Sequence, residues 1–328
     1  MNTIPSVQSW STPEMITGIA ATGGPNQPEQ NKRRSAVRAA IPAALELLKP
    51  ITWFAPMWAF GCGVVSSGVP LAGHWWILGL GVLLAGPMVC GTSQAANDWF
   101  DRDVDAINEP NRPIPSGRLP GRLGLYIAIA WTLASLLVAR QLGDWGFGAA
   151  GFGLLLAWTY SAPPLRLKTN GWLGNTACAA CYEGLPWLTG AAVMANSRPD
   201  SRILVVALLY SAGAHGIMTL NDFKSVEGDR QTGIFSLPVL LGVDKAASAA
   251  CLAMAMPQVL VIGLLLSWGA VTAAFVVTLL LMTQLLLMVR LLRNPRDLAP
   301  WYNATGTTLY VIGMLVTAFT LRSLLTGG

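Results

Sequence analysis

The sequence predicts an all-α integral membrane protein, and three observations carry that prediction. Only 11% of the 328 residues are charged and 53% are hydrophobic, against roughly 25% charged in an ordinary soluble domain. Nine apolar runs recur along the chain, each near the ~20 residues that a membrane-spanning helix needs. The Lys and Arg residues fall mainly in alternate gaps between those runs. So few charges cannot cover the surface of a soluble protein of this size. The net charge of +5 therefore implies no nucleic-acid partner. What matters is the side of a lipid bilayer on which that charge sits.

Residues 1–43 are polar, rich in Pro, Gly, Ser and Gln, with "NKRR" at 31–34. They contain no apolar core ahead of a small-residue cleavage site, and read as a flexible cytoplasmic tail. Residues 44–328 read as one membrane domain. Its predicted spans are 51–70, 76–96, 123–139, 145–162, 172–194, 202–222, 246–267, 270–289 and 303–325. Stretches such as "WGFGAAGFG" (145–153) allow close helix approach through small residues. All five cysteines lie in apolar runs. Cys178 and Cys181 form a CxxC, but no second Cys pair or His cluster completes a zinc site, so packing is the better reading.

Nine spans put the two ends of the chain on opposite sides. On that count only Arg140, Arg198, Arg202 and Arg322, of 21 Lys and Arg, share the side of the C-terminus. An excess of cations marks the cytoplasmic side, which places the N-terminus there. Losing or adding one span would scramble the pattern.

The stretch "NDWFDRDVDAINEPNRPIPSG" (97–117) interrupts this apolar sequence. Asp98, Asp101, Asp103, Asp105 and Glu109 put five of sixteen acidic residues into twelve positions. On a helix Asn97, Asp101 and Asp105 share an arc of about 80°. A second stretch, "NDFKSVEGD" (221–229), follows the sixth span. Four spans separate the two Asn-Asp pairs, so both face the cytoplasm. Asp222 and Asp229, seven apart, are expected to share a helical face. One acidic loop could be mere solvated surface, but two on one face point to a site.

Clustered carboxylates repel unless a cation sits between them. Hard oxygen ligands at this density suit Mg²⁺ shared with phosphate oxygens. Arg112, Arg166, Lys168, Lys224 and Arg230 are interleaved with the acids and could bind an anion. Each alone could be ordinary cytoplasmic charge. Together, acids, metal and cations are what a diphosphate needs. An anion site backed by an apolar helix bundle suggests an isoprenoid diphosphate, its head at the surface and its chain between helices. Glu183 and His215 lie inside apolar spans, where ionisable residues are costly and often functional. His215 could ligate a metal or join two helices, and Glu183 could bond a ligand or a helix. Trp99, Trp187 and Trp301 could stack on a ligand or anchor at the interface.

"NDWFDRDVD" has the NDxxDxxxD form of the UbiA superfamily of intramembrane prenyltransferases. "NRPIPSG" and "GDRQTGIFSLPVLLG" also resemble that family. "CYEGLPWLTGAAV", "GAHGIMTLNDFKSVEGDRQTG" and "PWYNATGTTLYV" are similar to its chlorophyll synthase branch, the bacterial members most of all. The resemblance runs from about residue 45 to the end. It implies a nine-helix bundle that esterifies a chlorophyllide or bacteriochlorophyllide with a C20 isoprenoid (geranylgeranyl or phytyl), using Mg²⁺. It implies metal-binding roles for Asn97, Asp101 and Asp105, and for Asp229, with Asp101, Asp105 and Asp229 as the catalytic carboxylates. Ser225 stands where the wider superfamily has the first acid of a DxxxD, which leaves Asp222 as a candidate replacement. Diphosphate binding falls to Arg112, Arg166 and Lys168, joined by the neighbouring Lys224 and Arg230. His215 and Glu183 become candidates for holding the tetrapyrrole. The setting would be the inner or photosynthetic membrane, with lipid around the chain and pigment-synthesis or photosystem-assembly proteins as candidate partners. Two other readings compete. One is a prenyltransferase for a quinone precursor or haem. The other is a transporter, though its acids would be expected near the bilayer midplane.

Overall fold

A computed structural model of the chain describes residues 40–327. The expected tail therefore lies outside the described residues, apart from a helical stretch at 40–47. Each of the nine apolar runs is helical. Helix α1 is Phe54–Ser66. Helix α2 is composite, running through Trp75–Leu83, a π-helical stretch Leu84–Cys90 and Gly91–Asn108. Then come α3 (Leu123–Gln141) and α4 (Gly143–Ser161). Helix α5 is also composite: Gly171–Ala179, a π turn Ala180–Gly184 and Leu185–Ala195. The last four are α6 (Ser201–Asn221), α7 (Val243–Ser267), α8 (Val271–Leu291) and α9 (Pro295–Thr326). No extended strand occurs among the described residues. Six helical segments are long and apolar enough to cross a membrane: those in α2, α3, α6, α7, α8 and α9. Helix α1, with 13 residues, is shorter than the predicted span.

Among the described residues each of α1 to α8 packs on the next and α9 returns to α1, closing a ring, with α1 and α5 also packed together. Glycine sets how closely some pairs approach. A Cβ at Gly63 of α1 would lie 2.0 Å from the Trp187 carbonyl oxygen of α5, and one at Gly190 would lie 2.3 Å from that of Phe60. Leucines and phenylalanines such as Leu137, Leu286 and Phe275 face outward, which only a lipid solvent tolerates at this density. The π stretch of α2 contains Pro87. Proline donates no backbone hydrogen bond and disturbs the turn before it. Trp131 of α3 ties to this stretch, its indole N–H donating to the Pro87 carbonyl at 3.1 Å.

Candidate functional site

Helix α2 stays helical to Asn108, so the first acidic stretch is the last turns of a helix rather than a loop. Its acids meet cations from two directions. Arg112, in the turn that follows, donates to Asp105 Oδ2 at 2.7 Å, and the same nitrogen lies 3.5 Å from Asp98 Oδ1. Lys49 Nζ donates to that Asp98 oxygen at 2.6 Å. Asp98 is 1% exposed, and its Oδ2 is buried with no partner among the described residues. Asp101 faces the loop after α4. Lys168 Nζ donates to its Oδ1, and Arg166 Nη2 lies 3.5 Å away. Asn97 Nδ2 donates to Ser161 Oγ at 3.1 Å.

Backbone pairing draws the second acidic stretch to this cluster. Phe235 N donates to Thr169 O at 2.9 Å and Gly171 N donates to Phe235 O at 2.8 Å. This parallel bridge joins the Lys168 loop to the segment after Asp229. A Cβ at position 171 would come within 2.6 Å of Leu237 N, so only glycine permits the approach. Asp229 then shares a field with residues remote in sequence. Burial raises its carboxyl pKa, the Ser236 and Ser225 hydroxyls and Lys168 lower it, and Asp101 raises it again, for a net rise. Burial pulls the Lys168 ammonium below its usual range, with Asp101 opposing. Burial likewise acts against the Arg112 charge, but Asp98 and Asp105 outweigh it and the guanidinium is held more firmly protonated.

The expectation that Asp222 and Asp229 share one helical face needs correction. Helix α6 ends at Asn221, a 3-10 turn covers Asp222–Lys224, and a new short helix, Val226–Gln231, begins after Ser225. Seven residues across that break do not make two turns of one helix. Asp222 Oδ2 instead accepts from Asn175 Nδ2 of α5 at 3.0 Å. Ser225 Oγ donates to Asp229 Oδ2 at 3.1 Å, so the serine braces the acid whose partner it replaces. Lys224 and Arg230 are exposed and pair with no acid among the described residues.

Glu183 and His215 lie apart from the acids. Glu183 is in the π turn of α5, which packs on α1 and α6, and is 3% exposed with Oε2 unpartnered among the described residues. The His215 ring stacks on Trp172 of α5 at 5.6 Å and 28°, and its Nε2 is buried without a partner among the described residues. Three features escape a reading of spacing between acids alone. Lys49 and Asp98 form an ion pair across 49 positions. Asn175 reaches Asp222 from another helix. Below Asn97, Gln94 Nε2 and Cys90 Sγ both donate to Tyr182 Oη, at 3.1 and 3.5 Å. The series 90, 94, 97, 101 follows one helical face, and that signal could have found Cys90 and Gln94.

Comparison with known proteins gives the chain's family. The model of the UbiA prenyltransferase family matches residues 50–320. The chain is 60% identical over 282 residues to the bacteriochlorophyll synthase 33 kDa chain of Cereibacter sphaeroides, covering 86% of this chain and 93% of that one. It is 40% identical to the chloroplastic chlorophyll synthase of Oryza sativa over 84% of this chain and 75% of that one. Among solved structures, a UbiA homologue from Archaeoglobus fulgidus bound to GPP and Mg²⁺ superposes with a TM-score of 0.61. It is 18% identical, with 83% of this chain and 99% of that one covered. Its likeness is one of fold. The chain belongs to the UbiA prenyltransferase family.

Proposed function

We propose that this protein esterifies the propionate carboxylate of a chlorophyllide or bacteriochlorophyllide with a C20 isoprenoid diphosphate and releases diphosphate, the last step of chlorophyll or bacteriochlorophyll synthesis. The observation that carries the reading is the position of Asp101, held by Lys168 and Arg166 and electrostatically coupled to Asp229 of the second stretch. The names of the relatives narrow the acceptor to a tetrapyrrole.

Among the described residues, no three acidic, His or Cys side chains already converge on one point. The donor chemistry nevertheless fits a hard divalent ion. Lys168, Arg166 and Arg112 occupy Asp101 Oδ1 and Asp105 Oδ2, so each carboxylate keeps its other oxygen for a metal. Asn97, Asp101, Asp105, Asp222 and Asp229 would hold Mg²⁺. When bound, it supplies positive charge that stabilises a departing diphosphate.

The chain's own groups account for the rest. Lys168, Arg166 and Arg112 bind diphosphate oxygens where negative charge grows as the allylic C–O bond breaks. Lys224 and Arg230 lie outside this cluster and would meet the diphosphate's exposed side. A propionate with a pKa of about 4 to 5 is already an anion at neutral pH, so no general base is required. The helix ring excludes water from the reacting carbon. In the membrane, the nine helices would span it with the N-terminus cytoplasmic and the C-terminus opposite.

Membranes carrying the purified protein, supplied with each tetrapyrrole and each C20 diphosphate in turn, test the reading. Tetrapyrrole ester and diphosphate should appear together and only with Mg²⁺. Transfer to a quinone precursor or haem, with no tetrapyrrole ester, would contradict it.

A further inference from the structure

Asn303, Thr307, Val311 and Leu315 repeat every fourth residue along α9, so they follow one face. That face runs beside α1. Trp58 Nε1 donates to Val311 O at 2.9 Å, and the Trp58 ring stacks on Phe54 at 5.5 Å. Leu315, Phe54 and Trp58 also line an apolar cavity of ≈ 330 Å³ between α1, α2 and α9.

The other end of the face is polar and incompletely bonded. Asn303 Nδ2 donates at 2.8 Å to Asn221 Oδ1, next to Asp222. Asn303 Oδ1 and Thr307 Oγ1 are buried with no partner among the described residues. The other five threonines of α9 each donate to the carbonyl four residues earlier. Thr307 has the same option and does not use it. Buried polar atoms with unmade hydrogen bonds are unfavourable, and each one asks for an explanation.

We infer that Asn303 and Thr307 are specificity-determining residues that hydrogen-bond a polar substituent on the edge of the acceptor macrocycle. This rests on the tetrapyrrole reading above. An isoprenoid chain offers no hydrogen-bonding group, and the diphosphate is served by the Lys168, Arg166 and Arg112 cluster. Only the acceptor combines a flat apolar body with polar edge groups. The stacked Phe54–Trp58 pair and the apolar cavity suit the body. The two orphaned atoms, one turn apart and beside the second acidic stretch, suit the edge.

Thr307→Val gives a clean test, because it removes a hydroxyl that bonds nothing among the described residues. If Thr307 only packs, the variant keeps or gains thermal stability and keeps all kinetic constants. The inference predicts thermal stability equal to or above wild type without ligand, an unchanged KM for the isoprenoid diphosphate, and a tetrapyrrole Kd and KM raised about tenfold, the scale of one hydrogen bond. Thr307→Ser should restore wild-type values, and Asn303→Leu should weaken tetrapyrrole binding in the same direction. The Kd is read from tetrapyrrole fluorescence without donor, so it stands even if no ester forms. Absent ester with weakened binding would sink the proposed function and keep this inference. A tetrapyrrole Kd within twofold of wild type in both Thr307→Val and Asn303→Leu, or no tetrapyrrole binding by the wild type, would overturn it.

Discussion

The two acidic stretches, alike in sequence, are held in different ways. At the end of α2, Asp98, Asp101 and Asp105 each have a cation in contact: Lys49, Lys168 with Arg166, and Arg112. After α6, Asp222 and Asp229 are bonded by neutral groups, Asn175 and Ser225, while Lys224 and Arg230 point to solvent. The first stretch is charge-compensated as it stands. The second has no cation in ion-pair contact among the described residues, while burial raises the carboxyl pKa in both halves, at Asp105 and at Asp229. A site with one paired and one unpaired half would be completed by an incoming cation, the role proposed above for Mg²⁺.

The largest effect should come from Asp101→Asn. It removes the charge to which both Lys168 and Arg166 are tied, and turnover should fall by about 10²- to 10³-fold, as for loss of a principal electrostatic group. The protein should stay folded by size-exclusion and thermal melting. Near-wild-type turnover would take Asp101 out of the site.

Lys168→Met probes compensation itself. The Lys168 side chain is 6% exposed and that of Asp101 17%, so this ion pair is largely buried. Removing one partner leaves an uncompensated charge and should cost about 3 kcal/mol. Lys168→Met combined with Asp101→Asn should recover much of that loss in thermal or denaturant melts. Additive losses would show that the pair is not coupled.

A smaller effect concerns pH. The folded pKa of Asp229 lies above its unfolded value, so the metal-free folded protein holds this proton more tightly. Its contribution favours folding at low pH and is lost as pH rises through the raised pKa. Mg²⁺ should reverse the loss on the alkaline side, because it binds the ionised form. Melting temperature against pH, with and without Mg²⁺, should show this, and Asp229→Asn should flatten both curves. Curves unaltered by that substitution would assign the pH response elsewhere.

Least affected should be Lys224→Ala and Arg230→Ala. Exposed charges contribute about 0.2 to 1 kcal/mol, so the KM for the diphosphate donor should rise only a few-fold with stability unchanged. A loss as large as that of Lys168→Met would make the second stretch as cation-bound as the first.

The same contrast explains what the sequence made legible. Runs of apolar residues located α1 to α9, because bilayer thickness sets their length, but not the short helix Val226–Gln231. Helix α9 begins at Pro295, eight residues before its predicted start, since its first turns are polar and the apolar run marks only the later ones. The π turns depend on packing around Pro87 and within α5, which spacing does not record. At the site, Asp101, Lys168 and Arg166 were legible because acids and basic loops stood out against apolar surroundings. The Lys49–Asp98 pair was not, because its partners meet only in three dimensions. The helix break at Asp222 was missed because no Gly or Pro interrupts "NDFKSVE".

A structure solved with Mn²⁺ in place of Mg²⁺ and an unreactive isoprenoid diphosphate tests the central claim most directly, by the anomalous signal of the metal. Metal density bridged by oxygens of both Asp101 and Asp229, with Lys168 on the diphosphate, is the predicted result. Metal held by the α2 acids alone, with Asp229 out of reach of both ion and diphosphate, would contradict it.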